Sequence, residues 1–114
     1  MLDKGAETFW EFAPNNENER WLLTSHAWSA GCTYLLSAYI IGIRMISPNF
    51  KSVKFNPAPC DLEYMRGVVP CEGGFIAISF VRDNEVNKFR IALPADVLLD
   101  YTLPENSEIE IIRY

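Results

Sequence analysis

The residues best suited to chemistry lie near the amino end of the chain, in two aromatic clusters. In the first, Glu11 follows directly after Trp10, and in the second, His26 lies two residues before Trp28. An indole face can pack against the apolar face of a sugar ring, while a carboxylate and an imidazole can bond to its hydroxyl groups. A glutamate beside an indole can also have its pKa raised by desolvation, which suits proton transfer. These residue types are compatible with a carbohydrate site.

The same clusters also have a purely structural interpretation. Aromatic residues before a helix often pack as a hydrophobic staple, and a single helix histidine is usually a structural residue. Residue spacing alone favours this structural interpretation. A nucleophilic pair of Cys32 and His26 is disfavoured, because side chains six residues apart do not share one face of a helix.

The composition argues against several other classes of function. The chain has 114 residues, enough for one modest domain, and a net charge of −5 without a basic run, which disfavours a nucleic-acid partner. One histidine and three cysteines without a CxxC pair match no zinc site. No glycine-rich phosphate loop occurs, so we expect neither a metal nor a cofactor. A Cys60–Cys71 disulfide remains an alternative, although buried or partly buried thiols are the favoured interpretation.

The chain shows no targeting or membrane segment. Its start, Met1–Gly5, has an early acidic residue and no apolar run, unlike a signal peptide. If the chain is expressed as it stands, we expect it in the cytoplasm, but the sequence alone does not fix its localisation. Residues 27–43 carry no charge, yet this stretch is short for a membrane helix and contains small polar residues. We interpret it as a helix buried in protein and expect no membrane partner.

One long helix is predicted from about His26 to Ile41. Thr24 or Ser25 is a suitable N-cap, and Gly42 stands where helices commonly end. Apolar residues spread around most of the helix, which is typical of a helix surrounded by protein. The chain contains no second long amphipathic helix to cover it. We therefore expect either dimerisation, or packing of this helix on the following domain beneath the N-terminal segment.

After Arg44 the apolar pattern changes to the two-residue period of strands. The clearest hairpin consists of two alternating runs around the turn 83–85. About six strands with short turns between them indicate an antiparallel sandwich. The predicted fold is mainly β, an antiparallel β-sandwich preceded by one long N-terminal α-helix. The hairpin residues predicted to face the core are Ile76, Ile78, Phe80, Phe89, Ile91 and Leu93.

A set of ordered motifs covers nearly the whole chain and weakens after about Arg90. The motifs are Gly5–Glu11, Ser25–Gly31, Tyr34–Leu36, Ile41–Arg44, Pro48–Lys51, Asn56–Pro59 with Asp61 and Leu62, and Gly67–Pro70 with Gly74. In order and spacing, they resemble the C-terminal region of bacterial α-L-rhamnosidases. In that family a helical barrel of six hairpins carries the active site and precedes an antiparallel β-sandwich. The resemblance implies that residues 1–43 end such a barrel and that residues 44–114 form the sandwich.

The resemblance also implies roles for individual residues. The family hydrolyses terminal α-L-rhamnose with inversion, using one carboxylic acid as general acid and one carboxylate that activates water. By resemblance, Glu11 is the general base, His26 bonds sugar hydroxyls, and Trp10 or Trp28 lines the pocket. The general acid belongs to an upstream helical region without a counterpart in this chain. Cys32 stands where family members often have proline.

Three functional hypotheses follow. The first is a C-terminal fragment of a rhamnosidase-like inverting glycoside hydrolase, inactive alone, which acts on a rhamnose-containing glycan only when the missing barrel completes it. The second is a non-catalytic sandwich that binds carbohydrate, for which Tyr64 or Tyr101 could supply an aromatic platform. The third is a protein-interaction module that forms a homodimer or associates with an upstream catalytic polypeptide.

Overall fold

The computed structural model of the chain describes Ala27 and residues 30–114. One compact unit of the chain, Leu36–Tyr114, contains both β-sheets. All four candidate site residues lie outside the described residues, so the roles given to them remain predictions. These residues are Trp10, Glu11, His26 and Trp28.

The described helix is shorter than predicted, and only its first half is an α-helix. Helix α1 spans Gly31–Leu35, and the chain continues as a π-helix over Leu36–Ile41. The amide of Gly42 donates a hydrogen bond to the carbonyl oxygen of Ser37, five residues earlier, at 3.0 Å. This wider turn replaces the expected α-helical turn where the chain packs against the core.

The predicted end of the helix at Gly42 is confirmed. Gly42 has a φ of 87°, the left-handed conformation that favours glycine. A Cβ atom at this position would overlap the backbone of Asn56 and Pro57. Only glycine can therefore join the helix to the first strand in this way.

Within residues 30–114, seven strands form two sheets, and the predicted mainly β, sandwich-like fold is confirmed. The strands are β1 (Ile43–Met45), β2 (Ser52–Phe55), β3 (Tyr64–Cys71), β4 (Gly74–Asp83), β5 (Val86–Leu93), β6 (Leu98–Tyr101) and β7 (Ser107–Arg113). The three-stranded sheet has the order β1-β2-β6, and the four-stranded sheet has the order β3-β4-β5-β7. A single 3-10 turn, Pro48–Phe50, lies between β1 and β2.

The sequence predicts antiparallel pairing throughout, but two pairs of strands are parallel. β2 and β6 pair in parallel, as do β5 and β7, whereas the other pairs are antiparallel. After β5 the chain crosses to the three-stranded sheet for β6 and then returns beside β5 as β7. Two crossings restore the original chain direction, so the returning strand lies parallel to its neighbour. The hairpin rule applies only to strands joined directly within one sheet.

The core forms where the predicted hairpin faces the three-stranded sheet. In the β4–β5 register, Phe80 lies opposite Phe89. From the other sheet, the Phe55 ring meets the Phe89 ring edge-on, with 5.7 Å between the centroids. Because side chains alternate along a strand, a slip of one residue would expose the entire apolar set. All six predicted core residues are 3% exposed or less, namely Ile76, Ile78, Phe80, Phe89, Ile91 and Leu93.

Candidate functional site

The described residues provide no site for a metal ion. Within residues 30–114, no group of three or more His, Cys, Asp and Glu side chains is placed to hold one. Cys32 and Cys71 are partly buried free thiols, as predicted, whereas Cys60 is a free thiol but is exposed, contrary to the prediction. None of the helices in the described part of the chain is long and apolar enough to cross a membrane.

The first candidate surface is apolar and lies on the π-helix and at the end of β1. Ala38 is buried, while Leu36 and Tyr39 are more than half exposed, at 55% and 54%. Met45 and Ile46 expose similar fractions of their surface. We call these four exposed residues the helix surface. Its exposure means that the described half of the helix is only partly covered.

One cation contributes to the helix surface. The guanidinium carbon of Arg44 lies 5.7 Å from the centroid of the Tyr39 ring, a cation–π distance. This contact holds the tyrosine ring beside β1. The helix surface therefore combines apolar side chains with one positive charge.

The second candidate surface is the outer face of the four-stranded sheet, the side that points away from the core. The strand registers align its residues in rows that cross all four strands. The first row is Tyr64, Val81, Lys88 and Glu108; the second is Arg66, Ser79, Arg90 and Glu110; the third is Val68, Ala77, Ala92 and Ile112. Pro70 and Phe75 begin a fourth row. The outer face is thus charged at one end of the strands and apolar at the other.

The charged end of the outer face contains a shallow depression of about 430 Å³. Arg90 Nε lies 3.1 Å from Glu110 Oε2, and Lys88 Nζ lies 2.7 Å from Asp83 Oδ2. The hydrogen bond from Lys88 to Asp83, and the negative charge of Asp83, raise the pKa of the lysine. These acids are exposed and paired with cations, so the depression can bind polar groups but does not desolvate a proton donor.

At the apolar end of the outer face, Tyr114 packs against Phe75. The Phe75 amide donates a hydrogen bond to the Tyr114 hydroxyl at 3.0 Å, and the two ring centroids are 5.6 Å apart. The Tyr114 amide donates to the carbonyl oxygen of Leu93 at 3.2 Å. No motif in the sequence indicated this contact, because it joins residues 39 positions apart.

The two tyrosines proposed for a carbohydrate platform do not lie together. Tyr64 belongs to β3 and is 73% exposed, whereas Tyr101 ends β6 in the other sheet and is 46% exposed. A flat sugar-binding platform needs aromatic rings on one face. Tyr64 lies at the charged end of the outer face, whereas the exposed rings of Phe75 and Tyr114 lie at its apolar end.

The chain is similar to a known protein family and to one solved structure. Residues 42–112 match the family described as bacterial alpha-L-rhamnosidase C-terminal domain. The chain is similar to the crystal structure of the GH78 family rhamnosidase of Bacillus sp. GL1, with a TM-score of 0.73 and 36% sequence identity. This similarity covers 93% of the present chain but only 12% of that rhamnosidase. No curated protein matches the chain.

Proposed function

The chain belongs to the family of bacterial alpha-L-rhamnosidase C-terminal domains, and from this membership we propose that it is the C-terminal part of a rhamnosidase-like inverting glycoside hydrolase, inactive alone. The observation that carries the proposal is the extent of the match. The matched residues, 42–112, include nearly all of the seven strands, while the similar rhamnosidase is far longer than this chain. The rest of the catalytic barrel would lie outside these 114 residues, either in the same polypeptide or in a separate one.

The chemistry of inversion supports the proposed lack of activity. Inverting hydrolysis needs a carboxylic acid and a carboxylate on opposite sides of the sugar, roughly 6.5–9.5 Å apart. The acids at the depression of the outer face, Glu108 and Glu110, are exposed side by side on the edge strand β7, and Glu110 is paired with Arg90. In such positions they cannot divide the roles of general acid and general base.

In the proposed assembly, Glu11 activates water as general base and His26 bonds sugar hydroxyls. Trp10 or Trp28 lines the pocket. The general acid comes from the upstream part of the barrel, and the substrate of the complete enzyme is a rhamnose-containing glycan. These roles rest on the motifs of the sequence.

The helix surface supplies the contact that the assembly requires. Leu36 and Tyr39 are half exposed on a helix whose other side packs on the sandwich. An exposed apolar patch next to a polar surface is typical of a protein interface. We propose that the catalytic barrel covers this surface.

An assay with an aryl α-L-rhamnoside tests the proposal. The purified chain is measured alone and together with a form of the Bacillus rhamnosidase truncated before its C-terminal region. We expect background rates for each polypeptide alone and turnover for the mixture. Glu11→Gln in this chain should abolish that turnover, because it removes the base, whereas Glu17→Gln, in the polar run Pro14–Arg20 of the sequence, should not. Turnover by the isolated chain that disappears with Glu11→Gln would contradict the proposal.

A further inference from the structure

The outer face of the four-stranded sheet is more apolar than a sheet face in water usually is. Val68 is 65% exposed, Val81 52% and Phe75 49%. An antiparallel sheet with one solvated face normally carries polar residues on that face. The central strands carry the small residues Ala77 and Ala92, which allow a second sheet to approach closely. This face therefore has the character of a packing surface.

The π-helix, Leu36–Ile41, does not cover this face. Ile41 lies against Gly67, whose missing side chain would point to the inner side of β3. The π-helix therefore packs on the inner side of the sheet. A partner on the outer face and a barrel on the helix surface would use different sides of the molecule.

The charges of the second row of the outer face are arranged in an order that is complementary to itself. The second row reads Arg66, Ser79, Arg90 and Glu110 from one sheet edge to the other. Glu110 is paired with Arg90. Arg66, at the opposite edge, forms neither an ion pair nor a hydrogen bond with any of the described residues. The row thus ends in a free positive charge on one side and a negative charge on the other.

We infer that two copies of this chain pair through their outer faces, about a two-fold axis that runs parallel to the strands between β4 and β5. Such a rotation reverses the strand order of the second copy, so that β3 faces β7 and β4 faces β5. Each row keeps its position along the strands and therefore faces the same row of the second copy. Arg66 then faces Glu110 of the second copy, twice in the dimer. The free charge of Arg66 gains a partner in this arrangement.

The apolar end of the face matches in the same way. In the third row, Val68 faces Ile112 of the second copy, and Ala77 faces Ala92. Phe75 and Pro70 of the fourth row meet the side of the second copy that carries Tyr114. Two aligned sheets pack about 10 Å apart with roughly 30° between their strands, an angle that long Arg and Glu side chains can accommodate.

The size of the face sets the expected strength of the dimer. Four strands about 4.8 Å apart, each with about seven residues rising about 3.4 Å, make a face of roughly 19 by 24 Å. Two such faces bury on the order of 1,000 Å², which is at the weak end of specific interfaces. We therefore expect a micromolar dissociation constant. The inference does not rest on the proposed function, because the dimer involves no barrel and no sugar.

A charge-swap experiment on the full chain tests the inference by sedimentation velocity, over about 1 to 200 µM protein, the range of weak interfaces. The unchanged chain should shift towards dimer as its concentration rises. Arg66→Glu and Glu110→Arg should each weaken the dimer by about tenfold or more, because each places like charges opposite each other. An equal mixture of the two variants should recover the dimer, because every cross-pair in the mixed dimer is again of opposite charge. Lys54→Glu, on the outer side of the three-stranded sheet, is the matched control and should have no effect.

The mixture also guards against misfolding, since two unfolded variants could not restore a dimer when mixed. The inference is overturned if the unchanged chain stays monomeric at the highest concentration. It is also overturned if the mixture dimerises no better than either variant alone. Failure of the rhamnosidase assay would leave these results unaffected.

Discussion

At the scale of single residues, glycine marks the point where the helix meets the sandwich. Gly42 and Gly73 both have a positive φ, at 87° and 82°. They differ in their surroundings, because a Cβ on Gly42 would overlap the backbone of Asn56 and Pro57, whereas a Cβ on Gly73 would meet nothing within 4 Å. The two positions separate the cost of backbone conformation from the cost of a clash.

We predict that Gly42→Ala destabilises the fold far more than Gly73→Ala. The left-handed conformation alone costs an alanine about 1–2 kcal/mol, which applies to both variants. At Gly42 the backbone of the next loop must also move, so we expect a total loss of about 3 kcal/mol or more. Unfolding in urea, monitored by circular dichroism, measures both variants. Equal losses at the two positions would show that the close approach at Gly42 is not rigid.

Cys71 is a second residue whose surroundings change its chemistry. Burial raises the pKa of its thiol above the ordinary 9.0, and the negative charge of Asp96 raises it further. Because the pKa is higher in the folded state, the folded chain holds this proton more tightly. The associated stability is present below pH 9.0 and is lost as the pH rises through the folded-state pKa.

We predict that alkylation of Cys71 has its pH midpoint at a higher pH in the folded chain than in the chain unfolded in urea. The measurement uses a variant in which Cys32 and Cys60 are serine, so that a single thiol reacts. Asp96→Asn should lower the midpoint part of the way, since the contribution of burial remains. The pH midpoint, rather than the rate, is the readout, because restricted access to the thiol slows the reaction without shifting the midpoint. Identical midpoints in the folded and unfolded chains would contradict the assignment.

At the scale of elements, local patterns predicted what local forces determine. The alternation around the turn 83–85 predicted both strands of the hairpin and all six core residues, because a strand with one buried face must alternate. Gly42 was identified as the end of the helix for a similarly local reason. The change from α-helix to π-helix at Leu36 was not predicted, because it depends on how Ile40 and Ile41 pack on the core.

The parallel pairs show where local patterns fail. Nothing within β6 or β7 indicates which strand lies beside it, and both were assigned to an antiparallel sandwich. Their neighbours depend on the chain crossing from one sheet to the other and back. Strand β1, only three residues long, was not predicted either, because so short a strand has no periodicity. Pairing between sequence-distant strands is a property of the whole sandwich.

For the candidate site too, the sequence predicted what depends on local motifs and missed what depends on strand pairing. The motifs of the chain predicted the family, which the match to residues 42–112 confirms. The roles of Glu11 and His26 remain predictions, because both residues lie outside the described part of the chain. The outer face could not have been found from the sequence, since each of its rows combines residues from four strands. Only the register of the sheet shows that Arg66 and Glu110 occupy one row.

At the scale of the whole molecule, the helix surface is the side on which substitutions should weaken binding to the catalytic barrel. Leu36 and Tyr39 are more than half exposed, so replacing them removes little buried apolar area from the sandwich. Leu98 is also an exposed apolar residue, at 70%, but it lies on β6, in another part of the same compact unit. It therefore provides a matched control.

We predict that the double variant Leu36→Lys, Tyr39→Lys binds the truncated Bacillus rhamnosidase at least about tenfold more weakly than the unchanged chain, because the interface must then desolvate two charges. Its free energy of unfolding should change by no more than about 0.5 kcal/mol, as is usual for exposed positions. Leu98→Lys should leave binding unchanged. Binding is measured by isothermal titration calorimetry, and stability by urea unfolding. Equal weakening by Leu98→Lys would mean that the loss follows from added charge rather than from the helix surface, and the barrel would then have to contact a different side of the sandwich.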